Sequence, residues 1–169
     1  MPPIPSRRDF LRGEIRTPDI LRPPGATVRG FERACTGCGD CIAACPEAII
    51  QSDPRGGVLL DLASGACTFC GACGRACPTD ALAEERQGDW PWVAQVSQEC
   101  LSLNRISCRA CEDSCEARAI RFHLQVGGVS RPIIDDSACT GCGACVGSCP
   151  AAAVSLVRVS HPKLEACQS

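Results

Sequence analysis

Aromatic residues are nearly missing from this chain of 169 residues, which has four Phe (Phe10, Phe31, Phe69, Phe122), two Trp and no Tyr. So few large side chains cannot fill an ordinary core by packing alone. No apolar run approaches the roughly 20 residues of a membrane-spanning helix, so no span is expected. Basic stripes with interleaved aromatics are also lacking, and at a formal net charge of -2 nucleic-acid binding is not expected. Histidine is limited to His123 and His161, both isolated. There is no Ser-His-Asp set, phosphate loop or paired-carboxylate site; Glu84-Glu85 and Asp135-Asp136 read as solvated surface. The chain is therefore not expected to be an enzyme.

Cysteine is what the chain has in excess, with seventeen in four groups and a tail. Three groups have the form C-x2-C-x2-C-x3-C-P: Cys35/Cys38/Cys41/Cys45-Pro46, Cys67/Cys70/Cys73/Cys77-Pro78 and Cys139/Cys142/Cys145/Cys149-Pro150. Such a density also occurs in small disulfide scaffolds, but an odd count and clustered Cys-Gly-x-Cys turns argue against disulfides. Zinc is a better rival, because paired C-x2-C groups build tetrahedral sites. Three cysteines spaced by two, then a fourth and a proline, is instead the run that holds [4Fe-4S] clusters, its fourth thiolate reaching across to a second cluster. Four such clusters would replace the missing packing, so that the apoprotein is expected to be largely unfolded. Each cluster with its thiolates adds a charge of about -2, making the holoprotein more acidic than the bare sequence.

Aligned on their third cysteines, Cys41, Cys73, Cys111 and Cys145, the groups recur at separations of 32, 38 and 34 residues. Two short separations flank a long one, which predicts that the first group pairs with the second and the third with the fourth. Pairing of outer with outer and inner with inner is the alternative. After each group comes a small apolar pair, Ile49-Ile50, Ala81-Leu82, Ala119-Ile120 and Ala153-Val154, read as a short helical turn against a cluster. Extended stretches at 57–62 and 131–135 follow turns at 53–57 and Gly127-Gly128. The expected fold is α+β, with two tandem ferredoxin-like di-cluster modules of short strand pairs and short helices. Expected boundaries are a flexible, proline-rich arm at 1–30, modules at 31–95 and 96–160, and a tail at 161–169. Trp90-Pro91-Trp92, in the segment joining the modules, reads as packing at their boundary.

The pairing rule then gives metal ligands. Cluster one takes Cys35, Cys38, Cys41 and Cys77; cluster two takes Cys67, Cys70, Cys73 and Cys45; cluster four takes Cys139, Cys142, Cys145 and Cys115. The third group departs from the pattern, with seven residues between Cys100 and Cys108, and Glu116 in place of proline. A longer loop costs only tenths of a kcal/mol more to close, so the set Cys100, Cys108, Cys111 and Cys149 is expected, with an unliganded Cys100 as the alternative. Cys167 reads as a free surface thiol.

Ser6-Arg7-Arg8-Asp9-Phe10-Leu11-Arg12 has the form of a twin-arginine export motif, but charged, proline-broken sequence follows where an apolar region belongs. Export is therefore not expected. That start, Arg22-Pro23-Pro24, the four cysteine groups and the stretch Cys100-Leu101 to Cys108-Arg109-x-Cys111-x-Asp113-Ser114-Cys115-Glu116 resemble the NapF family. These are ferredoxin-type accessory proteins of the periplasmic nitrate reductase system, and the resemblance runs from about residue 6 to residue 156. It implies a cytoplasmic four-cluster protein that binds the precursor of the molybdenum-containing catalytic subunit and assists its maturation before export, by cluster assembly or electron supply. A redox donor protein is a further possible partner, and a cytoplasmic location suits a chain full of reduced thiols. The alternatives are an electron-transfer ferredoxin or subunit serving a respiratory oxidoreductase, and a redox sensor, for which one labile cluster would suffice.

Overall fold

The computed structural model describes residues 20–27, 30–125 and 129–159. The export-like motif, Gly127 and Gly128, His161, Cys167 and the rest of the expected tail lie outside them. A one-turn helix, α1, spans Phe31–Ala34 ahead of the first cysteine. Each group then contributes one short helix before its fourth cysteine: α2 (Asp40–Ala44), α3 (Ala72–Ala76), α4 (Ala110–Asp113) and α5 (Ala144–Gly147). Gly39, Gly71 and Gly143 precede α2, α3 and α5 in the left-handed conformation, where a side chain would be strained.

Past the fourth cysteine, the expected helical turn is replaced by the start of a strand. Ala48, Arg118 and Ala152 sit at φ of 52°, 51° and 48°, which ends any right-handed helix. The branched residues that follow open β1 (Ile50–Ser52), β4 (Ile120–Leu124) and β6 (Val154–Arg158), while Leu82 makes a single antiparallel bridge to Ala26. The residues just before them, Ile49, Ala81, Ala119 and Ala153, are all buried. β1 pairs antiparallel with β2 (Val58–Leu60), and β4 with β5 (Ser130–Ile134), matching the expected extended stretches. A 3-10 segment, Glu84–Asp89, leads into β3 (Trp92–Val96), which pairs antiparallel with β6 from Trp92↔Arg158 to Val96↔Val154.

α2 packs on α3 and β1 in the first half, and α4 packs on α5 and β4 in the second. The boundary expected at 95/96 falls inside β3, whose ladder belongs with β6. The expected flexible arm also needs correction at its end, because residues 20–27 are built into the first half. Leu60 donates its amide to the Leu21 carbonyl, and Pro23 and Pro24 are fully buried. Buried Arg22 donates to the Val58 carbonyl, lies 3.1 Å from Asp53 Oδ2 and stacks over the Phe31 ring at 4.7 Å. The Arg55 amide, and then the Arg55 and Arg22 guanidinium groups, hold the Asp53 carboxyl below its usual range against the opposing effect of burial.

Two apolar clusters form the core, one centred on Phe31, Ile49, Ile50, Val58 and Leu82, the other on Val93, Ala119, Ile120 and Val154. Val146 and Leu156 pack against both. Between the halves, the Cys67 amide donates to the Cys142 carbonyl at 2.8 Å. Buried Trp90 donates Nε1–H to the Gly141 carbonyl at 3.1 Å, placing the Trp pair at the boundary where packing was expected. A Cβ on Gly141 would lie 2.3 Å from the Trp92 carbonyl oxygen, so this approach needs glycine.

Candidate metal centres

Three cysteines on one wrapping loop and helix face a fourth delivered by the paired group in three cavities, and a fourth set gathers around Cys111. One cavity is lined by Cys35, Cys38, Cys41 and Cys77, with Val58 and Leu82 as apolar walls. A second is lined by Cys45, Cys67, Cys70 and Cys73, with Ile49, Ile50 and Leu60 beside them. A third is lined by Cys115, Cys139, Cys142 and Cys145, with Ile120 and Leu156. Around Cys111 stand Cys100, Cys149 and Cys108, close enough for their charges to act on it. The three cavities mix thiols of the first group with the second and of the third with the fourth, and not outer with outer.

The electrostatics reflect thiols gathered around a buried member of the set, as at Cys41, Cys111 and Cys145. Burial, and then the charges of Cys35, Cys73, Cys77 and Cys38, push the Cys41 thiol up to about 11. Burial and the charge of Cys100 push Cys111 to about 11, and burial with Cys142, Cys139, Cys111 and Cys115 pushes Cys145 to about 12. Burial raises Cys67 and Cys73 as well. Four thiolates cannot share such a site without a compensating cation, and iron would supply that charge as the protons leave. Among the described cysteines Cys77 alone moves down: burial opposes it, but hydrogen bonds from the Thr79 hydroxyl and amide and the Leu82 and Ala81 amides prevail.

Donors to sulfur are already in place. Amides of Phe69, Ala94, Ala119 and Ala153 point at the sulfurs of Cys67, Cys139, Cys115 and Cys149 at 3.2–3.4 Å. N–H groups aimed at cluster thiolates are among the features that set cluster potentials. Among the described residues, no three of His, Cys, Asp and Glu converge tightly enough for one ion. The thiols line cavities instead, an arrangement that suits a cluster.

Cys100 reaches its quartet through a compact turn. The Cys100 carbonyl accepts from the Asn104 amide, and the Leu101 carbonyl from the Ile106 amide at 2.9 Å. The Asn104 side chain donates to the carbonyls of Gln98 and Cys100, and the Ser102 hydroxyl ties the turn to the Ser130 carbonyl on β5. Arg105 takes a φ of 64° to close it. Cys100 is buried rather than left at the surface. Asp135 is exposed, as expected of solvated surface, and also accepts from the Ser137 hydroxyl and amide and from the Ala138 amide, fixing the approach to Cys139; these bonds hold its carboxyl below the usual range.

Backbone amides facing sulfur are expected where a chain wraps closely on a cluster, but sequence reasoning did not identify which amides do so, and it missed the Cys67–Cys142 contact. Backbone donors carry no residue signature, and a contact between groups 75 positions apart leaves none either.

The family model for the 4Fe-4S dicluster domain matches the chain twice, at residues 34–81 and 104–153. The second match begins after Cys100. The chain is 42% identical over 162 residues to the ferredoxin-type protein NapF of Haemophilus influenzae, covering 89% of this chain and 92% of the relative. It is 35% identical to NapF of Escherichia coli K12, covering 88% and 92%. It is also 35% identical to the methylamine utilization ferredoxin-type protein MauM of Methylophilus methylotrophus, covering 79% and 68%.

Proposed function

The chain belongs to the NapF family of ferredoxin-type proteins, and from that premise we propose that its cysteine quartets hold four [4Fe-4S] clusters in two di-cluster modules. The ligand sets are Cys35, Cys38, Cys41 and Cys77; Cys45, Cys67, Cys70 and Cys73; Cys100, Cys108, Cys111 and Cys149; and Cys115, Cys139, Cys142 and Cys145. When bound, each cluster supplies a one-electron couple. The protein's own part is to present four thiolates, to aim the amides of Phe69, Ala94, Ala119 and Ala153 at them, and to shield the sites with Ile49, Val58, Ile120 and Leu156. No catalytic reaction of its own is assigned to the chain.

In this reading the protein acts in the cytoplasm on the precursor of the periplasmic nitrate reductase catalytic subunit, assisting its maturation before export by cluster assembly or electron supply. The observation that carries the iron-sulfur role is that three thiols from one group and one from its partner line each cavity. The client follows from the family alone. Among the described residues no helix is long and apolar enough to cross a membrane, which is compatible with the proposed location. Deleting the gene and measuring the metal content and activity of the exported reductase tests the role. An enzyme short of iron or molybdenum is expected, whereas a fully loaded, fully active one would favour the second reading, a simple electron carrier to a respiratory oxidoreductase.

A further inference from the structure

Resting on the reading that the quartets hold clusters, we infer that the second and fourth sites form the electronic junction between the halves, so that the four sites are wired in the order first, second, fourth, third. The two halves meet through the ligand loops themselves. The amide of Cys67, a ligand of the second site, donates to the carbonyl of Cys142, a ligand of the fourth, at 2.8 Å.

An aromatic bridge lies beside this bond. Phe69, between ligands Cys67 and Cys70, meets Trp90 edge-on with ring centres 6.2 Å apart. Trp90 donates its N–H to Gly141, next to Cys142. Gly147 of α5 completes the approach, since a Cβ there would lie 2.9 Å from the Ala63 carbonyl oxygen and 3.0 Å from that of Leu62. Within each half α2 packs on α3 and α4 on α5, and the cavities of each half take their fourth cysteine from the paired group, Cys77 and Cys45 in the first half and Cys115 in the second. The third group thus meets the first half through the fourth site, although it is the nearer of the two in sequence.

The step at the junction is a one-electron exchange. With clusters bound, one electron would pass from a reduced centre held by Cys45, Cys67, Cys70 and Cys73 to an oxidised one held by Cys115, Cys139, Cys142 and Cys145. No bond breaks and no proton moves. One-electron redox proteins at the first and third sites supply and remove the electron.

The test uses the full chain, reconstituted with iron and sulfide and fully reduced with dithionite. Cys38→Ala with Cys108→Ala disables the first and third sites, and the variant is expected to retain about eight irons. Its EPR spectrum should show spin–spin splitting although the two remaining sites lie in different halves. Cys70→Ala with Cys142→Ala leaves the first and third sites, which should give two unsplit signals. Splitting only in this second variant, or in neither, overturns the order. The wild-type framework gives an independent readout: Gly147→Val keeps about sixteen irons and should need several-fold less microwave power to saturate than the wild type. Unchanged saturation at full loading overturns the junction. A wild-type chain that takes up no iron overturns the cluster reading itself, a result separable by iron analysis from a loaded chain that shows no coupling.

Discussion

The two halves use the same length of chain in different ways. Ala26 is bridged to Leu82 and Val96 pairs with Val154, and each partner stands five residues past the last cysteine of its half. From Ala26 to Cys38 is twelve positions, and from Val96 to Cys108 is also twelve. The wide spacing after Cys100 is therefore no insertion. The first half spends the segment on α1, with Cys35 near its end, while the second places its ligand early and fills the remainder with the turn at 101–106. What the fold conserves between its halves is the path length from the closing strand to the second ligand. The position of the first ligand along that path is free, provided the turn satisfies its own backbone groups. The closing strand differs too: a single bridge in the first half, where Arg22 and two buried prolines reinforce it, and a five-residue ladder in the second.

Removal of all iron should abolish the comparison altogether. With so few large apolar side chains, neither half has enough core to fold alone, and chelated protein is expected to lose its cooperative thermal transition. A cooperative melt of cluster-free protein would show that packing suffices. At the next level, Cys35→Ser and Cys100→Ser should have the same effect, each lowering iron content from about sixteen to about twelve atoms and changing the EPR signal. A Cys100→Ser protein retaining all its iron would make the third site a three-cysteine one and end the equivalence of the halves.

Packing offers a finer contrast. Ile49→Ala and Ile120→Ala each remove the largest fully buried side chain of their half among the described residues, and each should cost about 2–5 kcal/mol in denaturant unfolding of the holoprotein. A difference beyond that range would identify the half that depends more on its core. The smallest effect belongs to a feature of the second half alone. Ser114 and Ser148, each preceding a fourth cysteine, share a hydrogen bond at 2.9 Å, where the first half has Ala44 and Ala76. Replacing both by alanine should cost no more than about 1 kcal/mol, because an apolar pair of similar shape can replace a hydrogen-bonded one. A loss of several kcal/mol would mean that these hydroxyls support the third and fourth sites.

Much of the candidate site was legible in the chain. Cysteine spacing predicts the quartets that the cavities display, because a helical turn and a tight loop fix which thiols of one group face the same way. Strands β2 and β5 were legible as short apolar runs behind turns. The apolar pairs after each group were misread as helix, since a period cannot be seen in two residues; the left-handed residues at 48, 118 and 152 decide for strand, and Ala and Arg do not advertise that conformation. The segment 20–27 looked like a loose arm because proline is common in such arms. It is held by the buried Arg22 and its partners more than thirty positions away.

By itself, then, the sequence determined the chemistry, since thiol type and spacing are local properties that hold in any fold that keeps the loops. The tertiary structure alone decided which sites adjoin across the halves. That adjacency comes from one amide of Cys67, one carbonyl of Cys142 and glycines that let two backbones touch. Main-chain groups are the same at every residue, so no spacing in the sequence could reveal which of them would meet.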